Sequence, residues 1–212
     1  VAVATNKKWA EKLGIEQSTA ITCVKPSGTV SQLVDSASGI HARFSDYYIR
    51  RVRNDLKDPV TAFLIEAGVP WEQDVMNPET VVFSFPMRAP DGAVTVDEQT
   101  ALSQLELWEI YQDSFCEHKP SITVYYSDDE FLSIGQWIWD KLDKCSGVSL
   151  LPRTDHVYLQ PPYSAITREE YEELSKEMPT ELDWSILDGM ENSDNTVGAQ
   201  TLACSSATGC EI

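Results

Sequence analysis

The sequence predicts an α/β fold with parallel strands covered by helices, on three observations. Residues 121–126 (SITVYY), a helical stretch of about four turns and residues 147–151 (GVSLL) follow one another as strand, helix and strand. A unit of that order makes its two strands parallel. The helix-start pattern Thr/Ser-x-x-Glu stands at Thr95, Ser127 and Thr167, each time before an apolar-periodic stretch. Apolar residues make up 42% and charged residues 24% of the 212 positions, the balance of a chain with a core rather than of a collagen, a coiled coil or a wholly disordered polypeptide.

The elements follow in order. Val1–Gly14 is helical in pattern, but no capping residue precedes it and the first residue is Val; both suggest a piece of a longer polypeptide. Ala20–Val24 (AITCV) is an apolar, β-leaning run that stops at Lys25-Pro26-Ser27-Gly28-Thr29. Val30, Leu33 and Val34 then recur at helical spacing, so the order is strand, glycine turn, short helix. Tyr47–Arg53 reads as a strand with Tyr48, Arg50 and Val52 on one face. Asp58-Pro59 opens a helix, as N-cap and first-turn proline, with Val60, Phe63, Leu64 and Ala67 as its stripe and Gly68 and Pro70 as its end. Val81–Phe85 is a buried strand closed by Pro86. The helix after Thr95 carries Leu102, Leu105, Trp108, Tyr111 and Phe115 on one side, and the helix after Ser127 buries Phe131, Ile134, Ile138 and Leu142. Pro152 stops the next strand, and Thr167 opens a helix with Tyr171, Leu174 and Met178. No Lys or Arg follows Lys176, whereas Glu181, Asp183, Asp188, Glu191, Asp194 and Glu211 do. We therefore divide the chain into residues 1–180, a folded part, and 181–212, a flexible, solvated tail.

The formal net charge is −18, which opposes binding to DNA, RNA or anionic lipid surfaces. An anionic ligand would have to be held by local groups. No apolar run is long enough to span a bilayer, and the opening residues, with Lys7, Lys8, Glu11 and Lys12, do not form a signal peptide. The five cysteines are odd in number and mostly in apolar contexts, which fits a reducing, cytoplasmic compartment better than a disulfide framework.

Five constellations could carry chemistry. Pro26, Ser27, Gly28, Thr29 and Ser31 lie at a strand–turn–helix junction, where backbone N–H groups, the helix dipole and three hydroxyls favour an anion and Gly28 permits its close approach. Neither a Walker A loop nor a dinucleotide fingerprint is present, and an ordinary capped helix accounts for the same pattern. Cys204 and Cys210 are separated by SSATG in a polar stretch, so their sulfurs can meet and could pass electrons by thiol–disulfide exchange; chance or a weak metal clip are the alternatives, and zinc spacing is absent. Arg50, Arg51 and Arg53 form either a solvated strand face or a phosphate or carboxylate partner. Asp155 and His156 follow a strand's carboxyl end, where α/β ligands gather, or sit in a plain surface turn. Tyr125 and Tyr126 point to opposite faces of a strand, which suits a core and a rim residue better than a radical relay.

The run KPSGTVSQLVDSASGIHARFSDYYIRRVR (Lys25–Arg53) resembles the C-terminal part of the catalytic chain of the adenosylcobalamin-dependent, class II, ribonucleotide reductases, in particular triphosphate-reducing members of phages and bacteria. The likeness continues through CEHKPSITV (Cys116–Val124), SGVSLLPRTDHVYLQPPY (Ser146–Tyr163) and the terminal cysteines. It implies the C-terminal portion of a ten-stranded α/β barrel, adenosylcobalamin as cofactor, and reduction of ribonucleotides by thiyl-radical chemistry. It further implies that Pro26–Ser31 holds substrate phosphates. Cys204 and Cys210 would re-reduce the barrel's disulfide and be reduced in turn by a thioredoxin- or glutaredoxin-type partner. The N-terminal remainder of the reductase would be a partner too, because no match to the family's radical-cysteine motif occurs before Lys25; Cys23 is not assigned that role. The spacer between the terminal cysteines is one residue longer than in familiar members. The alternatives are a diphosphate-reducing or class I large chain, and a non-catalytic nucleotide-binding or thiol-carrier module.

Overall fold

The computed structural model describes residues 1–28, 30–153 and 159–190, which form two compact units. One unit is built from residues 1–43 and 92–153, the other from 44–91 and 159–190.

In the first unit, α1 (Ala2–Leu13) ends at Gly14, whose positive φ of 67° supplies the left-handed cap. Residues 20–24 are extended beside 116–121 but form no regular strand: the amides of His118 and Ser121 reach the carbonyls of Thr22 and Val24, and Pro120 between them has no N–H to give. The predicted short helix is a 3-10 turn, Val30–Val34. Its Val30, Leu33 and Val34 stay exposed instead of forming a buried stripe. Thr95 and Ser127 make the expected reciprocal caps with Glu98 and Glu130, yet each opens a single 3-10 turn. The α-helices start just beyond, α2 at Ala101 (Ala101–Ser114, with Thr100 as its own N-cap) and α3 at Phe131 (Phe131–Asp140). Glu130 also accepts the Ala101 amide, joining the two helix starts. Burial pushes the Glu130 carboxyl up, but the donors of Ser127 and Ala101 outweigh it and hold the group below its ordinary range. Strands β1 (Ile122–Tyr126) and β2 (Val148–Pro152) pair in parallel from Ile122↔Val148 to Tyr126↔Pro152, as the strand–helix–strand order requires. The core is Ile40, Ala101, Leu105, Trp108, Ile122, Val124 and Ile134. Phe131, Leu142 and Phe115, expected inside, are exposed.

The second unit is a sheet of four strands, and here the parallel expectation is corrected. Numbered separately from the pair above, they are β3 (Tyr47–Asp55), β4 (Trp71–Gln73), β5 (Thr80–Arg88) and β6 (Tyr163–Ala165), in the spatial order β4-β5-β3-β6, antiparallel throughout. The short strand β4 pairs with Val81–Phe83 and turns the chain back, so β5 meets β3 in the reverse sense. Pro86 does not close its strand: β4 covers only Val81–Phe83, so β5 has an edge at Pro86, where a proline is tolerated. Helix α4 (Pro59–Glu66) starts as predicted, with the Asp58 carboxylate accepting the Val60 amide at 2.8 Å. Helix α5 (Arg168–Glu177) follows the Thr167 cap. A short helix, α6 (Ser185–Met190), falls inside the stretch expected to be tail, and Trp184 beside it packs on Phe63 at 4.9 Å between ring centroids. No helix among the described residues is long and apolar enough to cross a membrane.

Candidate functional site

The loop after Val24 is assembled by short-range bonds. Lys25 donates from Nζ to Ser121 Oγ at 2.8 Å, tying the loop's entry to the start of β1. Gly28 has φ +59°, a left-handed conformation that a side chain would strain. Its amide donates to Ser38 Oγ at 3.1 Å, so this N–H is used within the protein and is not one of the outward donors expected at the turn. Ser31 Oγ is shielded from solvent and has no hydrogen-bond partner among the described residues, a polar atom whose burial costs free energy until something satisfies it. The Ser36 amide closes the 3-10 turn on the Ser31 carbonyl at 3.0 Å, and the Arg43 guanidinium donates to the Ser36 carbonyl at 2.8 Å.

A second turn, residues 38–41, backs this loop. Gly39 has φ +63°, and a Cβ there would lie 3.0 Å from the Lys25 carbonyl oxygen, so glycine lets the two backbones approach. His41 Nδ1 lies 2.7 Å from the Ser38 carbonyl and its Nε2 accepts the Thr123 amide at 2.9 Å. Burial pushes the His41 pKa below the ordinary value, against the opposing pull of the Ser38 carbonyl. None of Ser38, Gly39 or His41 was singled out from the sequence. The one available signal was a histidine two residues after a Ser-Gly pair in a chain with only three histidines.

The other predicted residues divide sharply. Pro26, Ser27, Gly28 and Ser31 lie together in the loop. Thr29, Asp155, His156, Cys204 and Cys210 lie outside the described residues. Arg153, next to the predicted Asp-His pair, donates to the carbonyls of Val96 at 3.0 Å and Gln99 at 2.5 Å, a structural use. The three strand arginines are structural as well. Arg51 donates to the Pro161 carbonyl and Ser164 Oγ, and Arg53 to the Gln160 carbonyl and Asp74, while Arg50 donates to the Tyr163 hydroxyl. Cys23 sits 3.9 Å from His118 Nδ1 and donates to the Lys119 carbonyl. Cys23, Cys116 and Cys145 are free thiols, and burial pushes Cys145 up in pKa. No group of three or more His, Cys, Asp or Glu among the described residues could hold a metal ion.

No family model matches the chain. Its fold does match a crystal structure of a B12-dependent, class II ribonucleotide reductase, with a TM-score of 0.72 and 26% identity over 91% of this chain and 27% of that one. In sequence it is 33% identical over 179 residues to the adenosylcobalamin-dependent ribonucleoside-triphosphate reductase of Euglena gracilis, covering 83% of this chain and 25% of the relative. Its relatives are ribonucleotide reductases. The enzyme of the same description from Lactobacillus leichmannii is 28% identical over 83% of this chain and 24% of its own length, and a probable one from Dictyostelium discoideum is 32% identical over 80% and 23%. The chain thus spans about a quarter of the length of the reductases it matches. These relatives use adenosylcobalamin. No described residue is assigned a contact with that cofactor.

Proposed function

We propose that this chain is the C-terminal part of a reductase that converts ribonucleoside triphosphates to 2′-deoxyribonucleoside triphosphates, and that it supplies a substrate phosphate loop and a dithiol. The observation that carries the reading is the joint likeness in sequence and fold to adenosylcobalamin-dependent ribonucleoside-triphosphate reductases over four-fifths or more of the chain. The phosphate loop is residues Pro26–Ser31; the positive φ of Gly28 and the unsatisfied Ser31 hydroxyl support an anion there. Adenosylcobalamin, when bound by the full-length enzyme, would supply the radical that starts the reaction. Two thiols of the enzyme give up two electrons and two protons, the 2′ hydroxyl leaves as water, and the thiols become a disulfide. Cys204 and Cys210 reduce that disulfide by exchange, become oxidised themselves, and are reduced by a thioredoxin- or glutaredoxin-type protein. The enzyme as a whole works in the cytoplasm, without nucleic acid or membrane as a partner.

The test is C204S and C210S in the full-length enzyme. With thioredoxin as reductant each variant completes one turnover from pre-reduced enzyme and then stops, and a small dithiol that reaches the barrel restores cycling. Normal cycling of both variants with thioredoxin overturns the shuttle.

A further inference from the structure

We propose that His41 is a positioning residue for the phosphate loop: it locks the turn that supports Gly28 onto strand β1. The proposal rests on the phosphate-loop reading and names what holds that loop in shape.

The geometry fixes the imidazole's state. A backbone amide can only donate, so the 2.9 Å contact from the Thr123 amide makes Nε2 the acceptor. The ring proton is then on Nδ1, which donates to the Ser38 carbonyl at 2.7 Å. The lowered pKa agrees with a neutral ring, since a protonated one would set an N–H against the Thr123 amide.

From this one ring the chain of contacts runs in two directions. Outward, the clamped Ser38 presents its hydroxyl to the Gly28 amide at 3.1 Å, and Gly39 lies against the Lys25 carbonyl. Inward, Thr123 belongs to β1, whose Ile122 and Val124 are in the core with Ile40, the neighbour of His41. The loop therefore takes its position from the packed strand through a side chain whose own hydrogen bonds go to Ser38 and Thr123. Lys25 to Ser121 is a parallel tie at the loop's entry, so loss of His41 should misplace the Gly28 turn without freeing the whole loop.

The amide substitutions separate this role from mere packing. Asn at position 41 can offer an N–H to the Ser38 carbonyl but cannot reach Thr123, whereas Gln can reach Thr123 with its carbonyl oxygen. In the full-length enzyme, H41N is expected to raise KM for a ribonucleoside triphosphate about five- to tenfold, the scale of one or two neutral hydrogen bonds, with kcat within about twofold. H41Q is expected to return KM most of the way to the wild-type value. S31A is the control for the loop itself and is expected to raise KM. If S31A raises KM and H41N does not, the positioning role is wrong and the phosphate reading stands. If neither raises it, the phosphate reading fails and takes this proposal with it. Equal KM increases in H41N and H41Q also overturn the role. Should H41N fail to fold, S38A decides: it removes the link to Gly28 and leaves the carbonyl His41 uses, so a raised KM supports the role and an unchanged one overturns it.

Discussion

The strands β5 and β2 show two ways of stabilising a sheet. In β5, Val81, Val82 and Phe83 are wholly buried, flanked by strands on both sides. In β2, Leu150 and Leu151 each remain 39% exposed, and among the described residues the strand has a single partner. The antiparallel sheet fixes its register by local reversals and side-chain anchors: β4 turns directly into β5, and Arg51 and Arg53 hold the 160–164 segment. A parallel pair has no such reversal and is ordinarily stable only when both faces are covered. In this chain the parallel pair therefore depends on one buried face, packed by Leu105, Trp108 and Ile134.

The contrast can be broken most directly at the side chains. Phe83→Ala should cost about 3–5 kcal/mol in denaturant unfolding of the full-length protein, the range for a large aromatic removed from a core. Leu151→Ala should cost under about 1 kcal/mol, because much of its surface is already in water. A Leu151→Ala cost as large as that of Phe83→Ala would mean that β2 has a covering partner in the full-length protein.

Backbone substitutions sharpen the comparison next. Gly147, at the entry to β2, has φ +71°, and a Cβ there would lie 2.5 Å from the Pro120 carbonyl oxygen. Gly68, after α4, has φ +83° but open space around it. Gly147→Ala should therefore cost about 1–3 kcal/mol and Gly68→Ala about 1 kcal/mol, read from the shift in the unfolding midpoint.

The smallest effect is in pH. His41 has a folded pKa below its ordinary value near 6.5, so its neutral form favours folding. That contribution is complete above about pH 6.5 and is lost as the pH falls from there toward the folded value. Burial pushes the Asp74 carboxyl up, but Arg53 and the amides of Met76 and Asn77 more than reverse this and hold it below its ordinary value. Its contribution is present above about pH 4 and disappears only as the pH falls through the lower folded value. Between pH 7 and 5, once the intrinsic pH dependence of exchange is divided out, protection of the Thr123 amide should fall severalfold while the Met76 and Asn77 amides keep theirs. The reverse order would contradict both assignments.

Much of the first unit could be read from the sequence because its signals are local. Thr-x-x-Glu and Ser-x-x-Glu caps, the strand–helix–strand order and the Lys25–Gly28 turn each depend on residues a few positions apart. The antiparallel sense of the larger sheet was not legible, because it follows from β4 and β6, three residues each and too short to show a period. The hydroxyls of the candidate loop were visible as a motif. Its supports were not: His41 meets Thr123 across 82 positions, and nothing in either residue's neighbours announces the pairing. The strand arginines were seen, but their acceptors lie 21 to 113 positions away, and two of the five are backbone carbonyls, which carry no sequence signature.

Those arginine anchors also impose an order of events on a growing chain. Arg51 and its acceptor Pro161 are separated by 110 positions, and Arg53 and Gln160 by 107. At roughly 5–20 residues per second, a ribosome needs on the order of 5–20 s to deliver the carbonyls after the arginines have been made. During that interval β3 and β5 can pair, but one flank of β3 is open and its guanidinium groups are still hydrated. Translation speed across residues 55–160 thus sets how long that flank is exposed to other nascent chains, and the arrival of residues 160–165 closes it.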